Sequence, residues 1–354
     1  MGTTIVETVD ALTPEWLNAV LDDAWSTSEH PITSVHAEQL GTGQMCDSYR
    51  VLATRADGST ATFVAKLPAT DPNSRIAGLL MRAYEKEVRF YQELAPDLGV
   101  RTPTALHAEI DPSTGSFVLL LDDMAPATQG DQLAGCDVER ATAALGELVN
   151  LHAPRWGDPT LADIEWLFGD RGAGRDMLIQ LLPTLWGGCV DRYVDRLDDH
   201  VRAAGEVLFS RLPSLFADHG PQTVVHGDYR LDNVLFHPED GSVAVLDWQT
   251  CTVGSGPADA AYFVGAGLLV DVRRAHESEL FDHYLRALGA AGVDASRSEC
   301  WELYRRGTWG GLLMAVAASM LVERTERGDA MFMAMASRHA QHALDLDAVD
   351  LLDP

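Results

Sequence analysis

Apolar positions in the first third of the chain follow two spacings. In "TPEWLNAVLDDAW" they lie three and four apart behind a Thr13-Pro14 entry signal, which predicts a helix. "ITSVHAEQL" and "DSYRVLATRADGSTATFVAKLP" alternate with period two. The second divides into two strands at Asp57-Gly58, a strong hairpin signal. "RIAGLLMRAYEKEVRFYQELA" returns to helical spacing and reads as one amphipathic helix of about five turns. Two more strands, "TALHAEI" and "GSFVLLLDDM", flank the turn "DPSTG".

Beyond Ala125 the pattern is mostly helical, over 137–152, 174–185, 198–211, 257–268, 272–290, 298–325 and 328–347. The exception is "VVHGDYRLDNVLFHPEDGSVAVLDWQ", Val224 to Gln249, where short β-branched runs alternate with polar clusters. Strands followed by helices predict an α+β protein of two lobes with a cleft between them. The boundary is expected in the turn-rich "DDMAPATQGDQ", which gives a strand-rich part over 1–123 and a helical part over 124–354.

A formal charge of −27 and a pI near 4.6 oppose a nucleic-acid or anionic-membrane surface. The five cysteines (Cys46, Cys136, Cys189, Cys251 and Cys300) form no C-x-x-C pair, which fits a reducing cytoplasm and neither a zinc site nor a disulfide framework. No signal peptide is read at the N-terminus. The most apolar stretch, "GGLLMAVAASMLV", is too short for a bilayer span and is expected as a buried helix.

Asp228, Asn233 and Asp247 in the Val224–Gln249 segment would be costly in a plain sheet core. An Asp-x4-Asn loop followed by a strand-borne Asp can converge if the hairpin folds back. Asn233 and Asp247 then offer hard oxygens to Mg²⁺, and Asp228 is left to orient a hydroxyl and accept its proton. Taken singly, each also fits a turn or cap residue. A hydrolytic metal on His226, Asp228 and Asp247 is a rival reading without a supporting His-x-x-x-His motif.

"HGDYRLDN" and "VLDWQ" resemble the catalytic and metal-binding motifs of the aminoglycoside phosphotransferase and choline-kinase-like superfamily, which shares the protein-kinase fold. "LHAPRW" and "GPADAAYF" resemble most its ecdysteroid-kinase-like branch of small-molecule kinases, and the resemblance runs from about residue 35 to the end. It implies a bilobal kinase with a small antiparallel-sheet N-lobe carrying one key helix, and a larger helical C-lobe. It also implies ATP and Mg²⁺ as cofactors, a small-molecule hydroxyl as acceptor, and neither nucleic acid nor membrane as partner. Asp228 is then the catalytic base, Asn233 and Asp247 the Mg²⁺ ligands, and Arg230 a cation facing the γ-phosphoryl group.

The same resemblance asks for a strand lysine paired with a helix glutamate. Lys66 in "TFVAKLP" fits, with Glu87 preferred to Glu85 and expected at a cleft edge where it can turn to water. Gly41 and Gly43 in "LGTGQMC" are candidates for covering phosphates, although Cys46 stands where a third glycine would complete the loop. Backbone groups of Asp122 to Met124 are expected against the adenine edge.

Departures from protein kinases favour a small acceptor. Gly227 replaces the arginine of H-R-D, Trp248-Gln249 replaces Phe-Gly, and "GSGPADAAYF" leaves no activation segment. Asp259 is expected to brace the catalytic loop. Trp166, Trp301, Tyr304 and Trp309 are candidates for an apolar acceptor pocket, and Asp163 or Glu302 for holding an amine-rich sugar; core packing explains the aromatics equally well. An aminoglycoside, a steroid-like alcohol and a hydroxyacyl compound all remain possible acceptors, and a nucleotide-binding pseudokinase scaffold is the alternative function.

Overall fold

Period-two alternation over 32–68 becomes three antiparallel strands, β1 (Ile32–Gln39), β2 (Cys46–Arg55) and β3 (Thr60–Pro68). With β4 (Ala105–Asp111) and β5 (Ser116–Asp122) they form a five-stranded sheet in the order β1-β2-β3-β5-β4. The computed structural model describes residues 5–21, 25, 29–41, 45–168, 173–216 and 220–352. These group into two units. The first holds Met1–Asp97, Thr102–Ala125 and Asp247–Gln249, and the second holds Leu98–Arg101, Pro126–Leu246 and Thr250–Pro354.

In the first unit, Phe63, Ala65 and Leu67 alternate onto one face of β3 and join Val118, Leu120 and Leu17 in a buried core. Leu17 lies on α1 (Pro14–Val20), whose first turn is capped by the Thr13 hydroxyl accepting the Trp16 N–H at 3.2 Å. Strand pleating puts Lys66 on the opposite face, in register with Ser48 of β2 and Leu119 of β5. The β2–β3 turn uses Gly58 at φ +82°, a left-handed conformation that glycine adopts without strain.

The single five-turn helix expected after β3 is broken. α2 (Pro72–Leu80) starts at the Asp71 cap, and Arg82 adopts a left-handed φ of 53° before α3 (Ala83–Arg89) begins. Phe90–Leu94 continues as a wider π turn. Tertiary packing accompanies the break. Tyr84 lies 4.6 Å from Phe117 between ring centres and donates its hydroxyl to Met45 O at 2.6 Å. Gly78 leaves room for that ring, since a Cβ there would come within 2.7 Å of it.

In the second unit, α4 (Val138–His152) follows the Asp137 cap, and α5 (Glu165–Phe168), α6 (Ala173–Arg192), α7 (Asp199–Ser210) and α8 (Leu212–Leu215) precede the polar segment. α9 (Gly256–Gly267), α10 (Val270–Ala290), α11 (Arg297–Leu321) and α12 (Glu326–Asp345) follow it. Tyr193, Val201, Leu208, Trp309, Leu312, Val316 and Phe332 form a shared core among these helices. "GGLLMAVAASMLV" lies within α11, and no helix among the described residues is long and apolar enough to cross a membrane.

The polar segment is built on short strands in two small sheets. β6 (Thr128–Gln129) pairs with β8 (Val234–Phe236), which pairs with β9 (Val243–Val245); β7 (Thr223–Val225) pairs with β10 (Thr252–Gly254). The β8–β9 hairpin folds the segment back, and Leu246 N–H donates to Asn233 O at 2.9 Å.

Candidate functional site

Lys66 is the centre of a buried polar group in the first unit. Its ammonium donates to Glu87 Oε1 at 2.5 Å and to Asp247 Oδ1 at 3.1 Å. Burial disfavours its charge, but the Asp247 and Glu87 carboxylates more than offset that and hold its pKa well above the ordinary value. Glu85 serves a different purpose, accepting a hydrogen bond from Arg82 at 2.8 Å and forming an ion pair with Arg89 at 3.1 Å.

Gln249 was not anticipated. Its side-chain amide donates to Glu87 Oε2 at 3.0 Å and to Cys46 Sγ at 3.1 Å. Burial pushes the Cys46 thiol up to about 12, so it stays protonated at neutral pH. The stretch 247–249 is anchored by Trp248, which stacks on Phe90 at 3.7 Å and donates its indole N–H to Thr102 Oγ1 at 3.0 Å. Asp247 itself has φ +67°, a region that aspartate enters more readily than most residues.

Glu87 is fully buried at 0% exposure, contrary to the expectation that it could turn to water. Lys66→Ala therefore leaves an uncompensated carboxylate inside the unit. The expected result is destabilisation by about 3–5 kcal/mol, partly recovered in the Lys66→Ala, Glu87→Gln double variant. Urea unfolding checks this, and a single variant within 1 kcal/mol of the parent, on the order of one ordinary hydrogen bond, would contradict it.

Gly41 has φ +60°, and a Cβ there would meet nothing within 4 Å. Gly43 lies outside the described residues. Asp122 ends β5 with its N–H donated to Thr104 O at 2.9 Å, whereas the Met124 N–H bonds to no group among the described residues.

The second unit holds the Asp228 carboxylate. Its Oδ2 accepts from Arg230 Nε at 2.9 Å and Asn233 Nδ2 at 3.1 Å, and its Oδ1 accepts from the Tyr262 hydroxyl at 2.6 Å. A carboxylate offers about four lone-pair positions. Among the described residues three are occupied, and one on Oδ1 remains. The Asn233 amide also donates to Asp228 O at 2.9 Å, which turns its own Oδ1 away from that contact. That carbonyl oxygen is a hard donor of the type Mg²⁺ takes; so, considered separately in the first unit, is the Asp247 carboxylate.

Arg230 is nearly buried, with Nη1 directed to Asp232 Oδ2 at 3.2 Å and to Met331 S at 2.7 Å. Burial opposes its charge, yet Asp228 and Asp232 keep its pKa above the ordinary value. Its Nη2 bonds to no described residue. Burial, reinforced by the Asp228 carboxylate, also holds the Tyr262 phenol well above its usual pKa, so the hydroxyl is a donor to Asp228.

The loop before Asp228 is held through its backbone. Asp259 on α9 accepts the His226 N–H at 2.6 Å and the Gly227 N–H at 3.1 Å. His226 Nδ1 accepts the Asp228 N–H at 3.2 Å, which makes Nε2 the protonated nitrogen facing Leu246 O at 2.9 Å. With both ring nitrogens engaged, His226 has none left for a metal. Gly227 has φ +79°, and a Cβ there would stand 2.7 Å from Thr250 O, so the arginine of the protein-kinase motif has no place here.

Of the proposed acceptor residues, Trp301, Glu302, Tyr304 and Trp309 lie on α11. Tyr304 is buried and donates to Glu277 at 3.0 Å, and Trp309 is buried and donates to Ala348 O at 3.1 Å. Both are core residues. Trp166 is also buried, whereas Trp301 is partly exposed and stacks on Tyr304 at 5.2 Å. Glu302 pairs with Arg306 at 3.3 Å, and Asp163 is exposed.

Solved structures with a similar fold include a choline kinase and an ethanolamine kinase. The choline kinase from Cryptosporidium parvum Iowa II has a TM-score of 0.55 at 10% identity, covering 96% of this chain and 94% of that one. The Plasmodium vivax ethanolamine kinase has a TM-score of 0.54 at 10% identity, covering 87% and 82%. At such identity the likeness establishes a shared protein-kinase-like α+β fold alone. The chain belongs to the Phosphotransferase enzyme family (APH), whose sequence model matches residues 36–302. A 60-residue stretch is also 50% identical to acyl-CoA dehydrogenase family member 10 of Mus musculus, covering 17% of this chain but 6% of that protein's length.

Proposed function

We propose that this phosphotransferase moves the γ-phosphoryl group of ATP to a hydroxyl of a small molecule, with Asp228 as the base. The observation that supports this most directly is the Asp228 carboxylate, which three donors hold while one position on Oδ1 stays available. An acceptor hydroxyl bonded there is oriented for attack, and its proton has a carboxylate to pass to late in a loose transition state. Arg230 adds positive charge beside the transferring group and, through Nε, fixes the base. Asn233 Oδ1 and the Asp247 carboxylate are the proposed ligands of Mg²⁺, which when bound neutralises charge on the phosphate oxygens. Lys66, kept charged by Glu87, is assigned to the α- and β-phosphates, Gly41 and Gly43 to the covering loop, and Asp122 and Met124 backbone to the adenine edge.

Among acceptors, hydroxyacyl thioesters come first, because the mouse relative carries acyl-CoA chemistry in its name. Steroid-type alcohols follow from the ecdysteroid-kinase-like resemblance, and aminoglycosides from the superfamily. The test is Mg²⁺-dependent ADP release from ATP across hydroxyacyl thioesters, sterols, aminoglycosides, choline and sugars, with the parent and Asp228→Asn side by side. Release stimulated by one acceptor and dependent on Asp228 is the expected result. Intact Mg·ATP binding with neither basal nor stimulated release would make the chain a nucleotide-binding scaffold instead.

A further inference from the structure

Two donors grip Asp228 on Oδ2, which leaves the carboxylate free to pivot unless Oδ1 is also held. Among the described residues the only side chain on Oδ1 is Tyr262, at 2.6 Å. We propose that Tyr262 is a positioning residue for the base, fixing Oδ1 so that its remaining lone pair meets the acceptor oxygen. The inference rests on the reading of Asp228 given above.

The surroundings of Tyr262 suit that task. It stands on α9 three residues after Asp259, so the same face of one helix holds the loop backbone through Asp259 and the base through Tyr262. The phenol ring is 4% exposed and leans on the fully buried His339 ring, with centres 5.1 Å apart. Two glycines make room for that imidazole. A Cβ at Gly265 would lie 2.7 Å from His339 Nδ1, and one at Gly311 2.0 Å from Nε2. Burial holds the His339 pKa well below the ordinary value, so the ring behind Tyr262 is neutral and adds no competing charge. Among the described residues the hydroxyl donates to Asp228, and the carboxylate can only accept.

Tyr262→Phe keeps the ring packing and deletes one O–H. The probe is Mg·ATP with water as acceptor, followed as steady-state ADP release. The expected result is a fall in kcat on the order of 10-fold, the rate equivalent of one hydrogen bond to a charged group, with the KM for ATP within about twofold of the parent. In the Asp228→Asn background the same change should cost nothing further, because the bond it removes serves the carboxylate. Parental kcat in Tyr262→Phe, or losses that multiply in the double variant, would overturn the proposal. If basal release is too slow to time, crystal structures of the parent and Tyr262→Phe decide: a carboxylate that leaves its parental rotamer supports the role, and one that stays removes it. Asp228→Asn in the same assay separates the two levels. Unchanged release there overturns the base itself, whereas slowed release beside a parental Tyr262→Phe overturns Tyr262 alone.

Discussion

Asp228→Asn should lower kcat by on the order of 10²–10⁴, the usual range for loss of a general base, while leaving the KM for ATP nearly unchanged. The surroundings make this a clean substitution. The new amide oxygen can face Arg230 Nε and Asn233 Nδ2, which places its NH₂ toward Tyr262. A phenol hydroxyl can rotate and accept as well as donate, so no donor is forced against another. Thermal stability should therefore stay close to the parent's, and lost activity will not reflect lost fold. A variant with near-parental kcat but lost Mg·ATP binding would show that Asp228 is a ligand and that the base lies elsewhere.

Asp247→Ala should abolish turnover and Mg²⁺-dependent nucleotide binding. Because φ at Asp247 is +67°, alanine adds backbone strain to the loss of the carboxylate. Asp247→Asn is the matched control, since asparagine accepts that conformation and keeps an oxygen but loses the charge. It should still weaken Mg·ADP binding by at least the 10–100-fold typical of losing even an outer-shell partner. Lys66 keeps Glu87 at 2.5 Å in both variants, so the apo protein should remain folded. Calorimetric titration of ADP with and without Mg²⁺ checks this, and parental Mg·ADP affinity in both variants would remove Asp247 from the metal.

The strands were legible because their alternation is local, and Lys66 stood out as a cation on an otherwise apolar strand. Asp228, Asn233 and Asp247 stood out as candidates by their density within one short segment. Other features depend on partners far along the chain. The break at Arg82 accompanies Tyr84 reaching Met45 and Phe117, neither visible in the amphipathic pattern of 75–95. Gln249 meets Glu87 from 162 positions away, and nothing beside "VLDWQ" announces that bond. Tyr262 sits in a nearly all-apolar helix, where a tyrosine reads as core until its hydroxyl is seen on Asp228. Tyr304 and Trp309, attractive as pocket residues by type, turned out to be core for the same reason in reverse.

The three residues Asp247–Gln249 belong to the first unit, although the chain on both sides of them belongs to the second. This bears on any attempt to cut the protein apart. A fragment ending at Ala125 would include Phe90 without the indole stacked on it, and Glu87 without the Gln249 amide. Lys66 would retain one of its two carboxylates. A fragment starting at Pro126 would carry Trp248 as an apolar side chain with its stacking partner deleted. Dissection, split-protein reassembly and domain exchange at the 125/126 junction would therefore need a synthetic Asp-Trp-Gln tether to return what the shorter piece has lost.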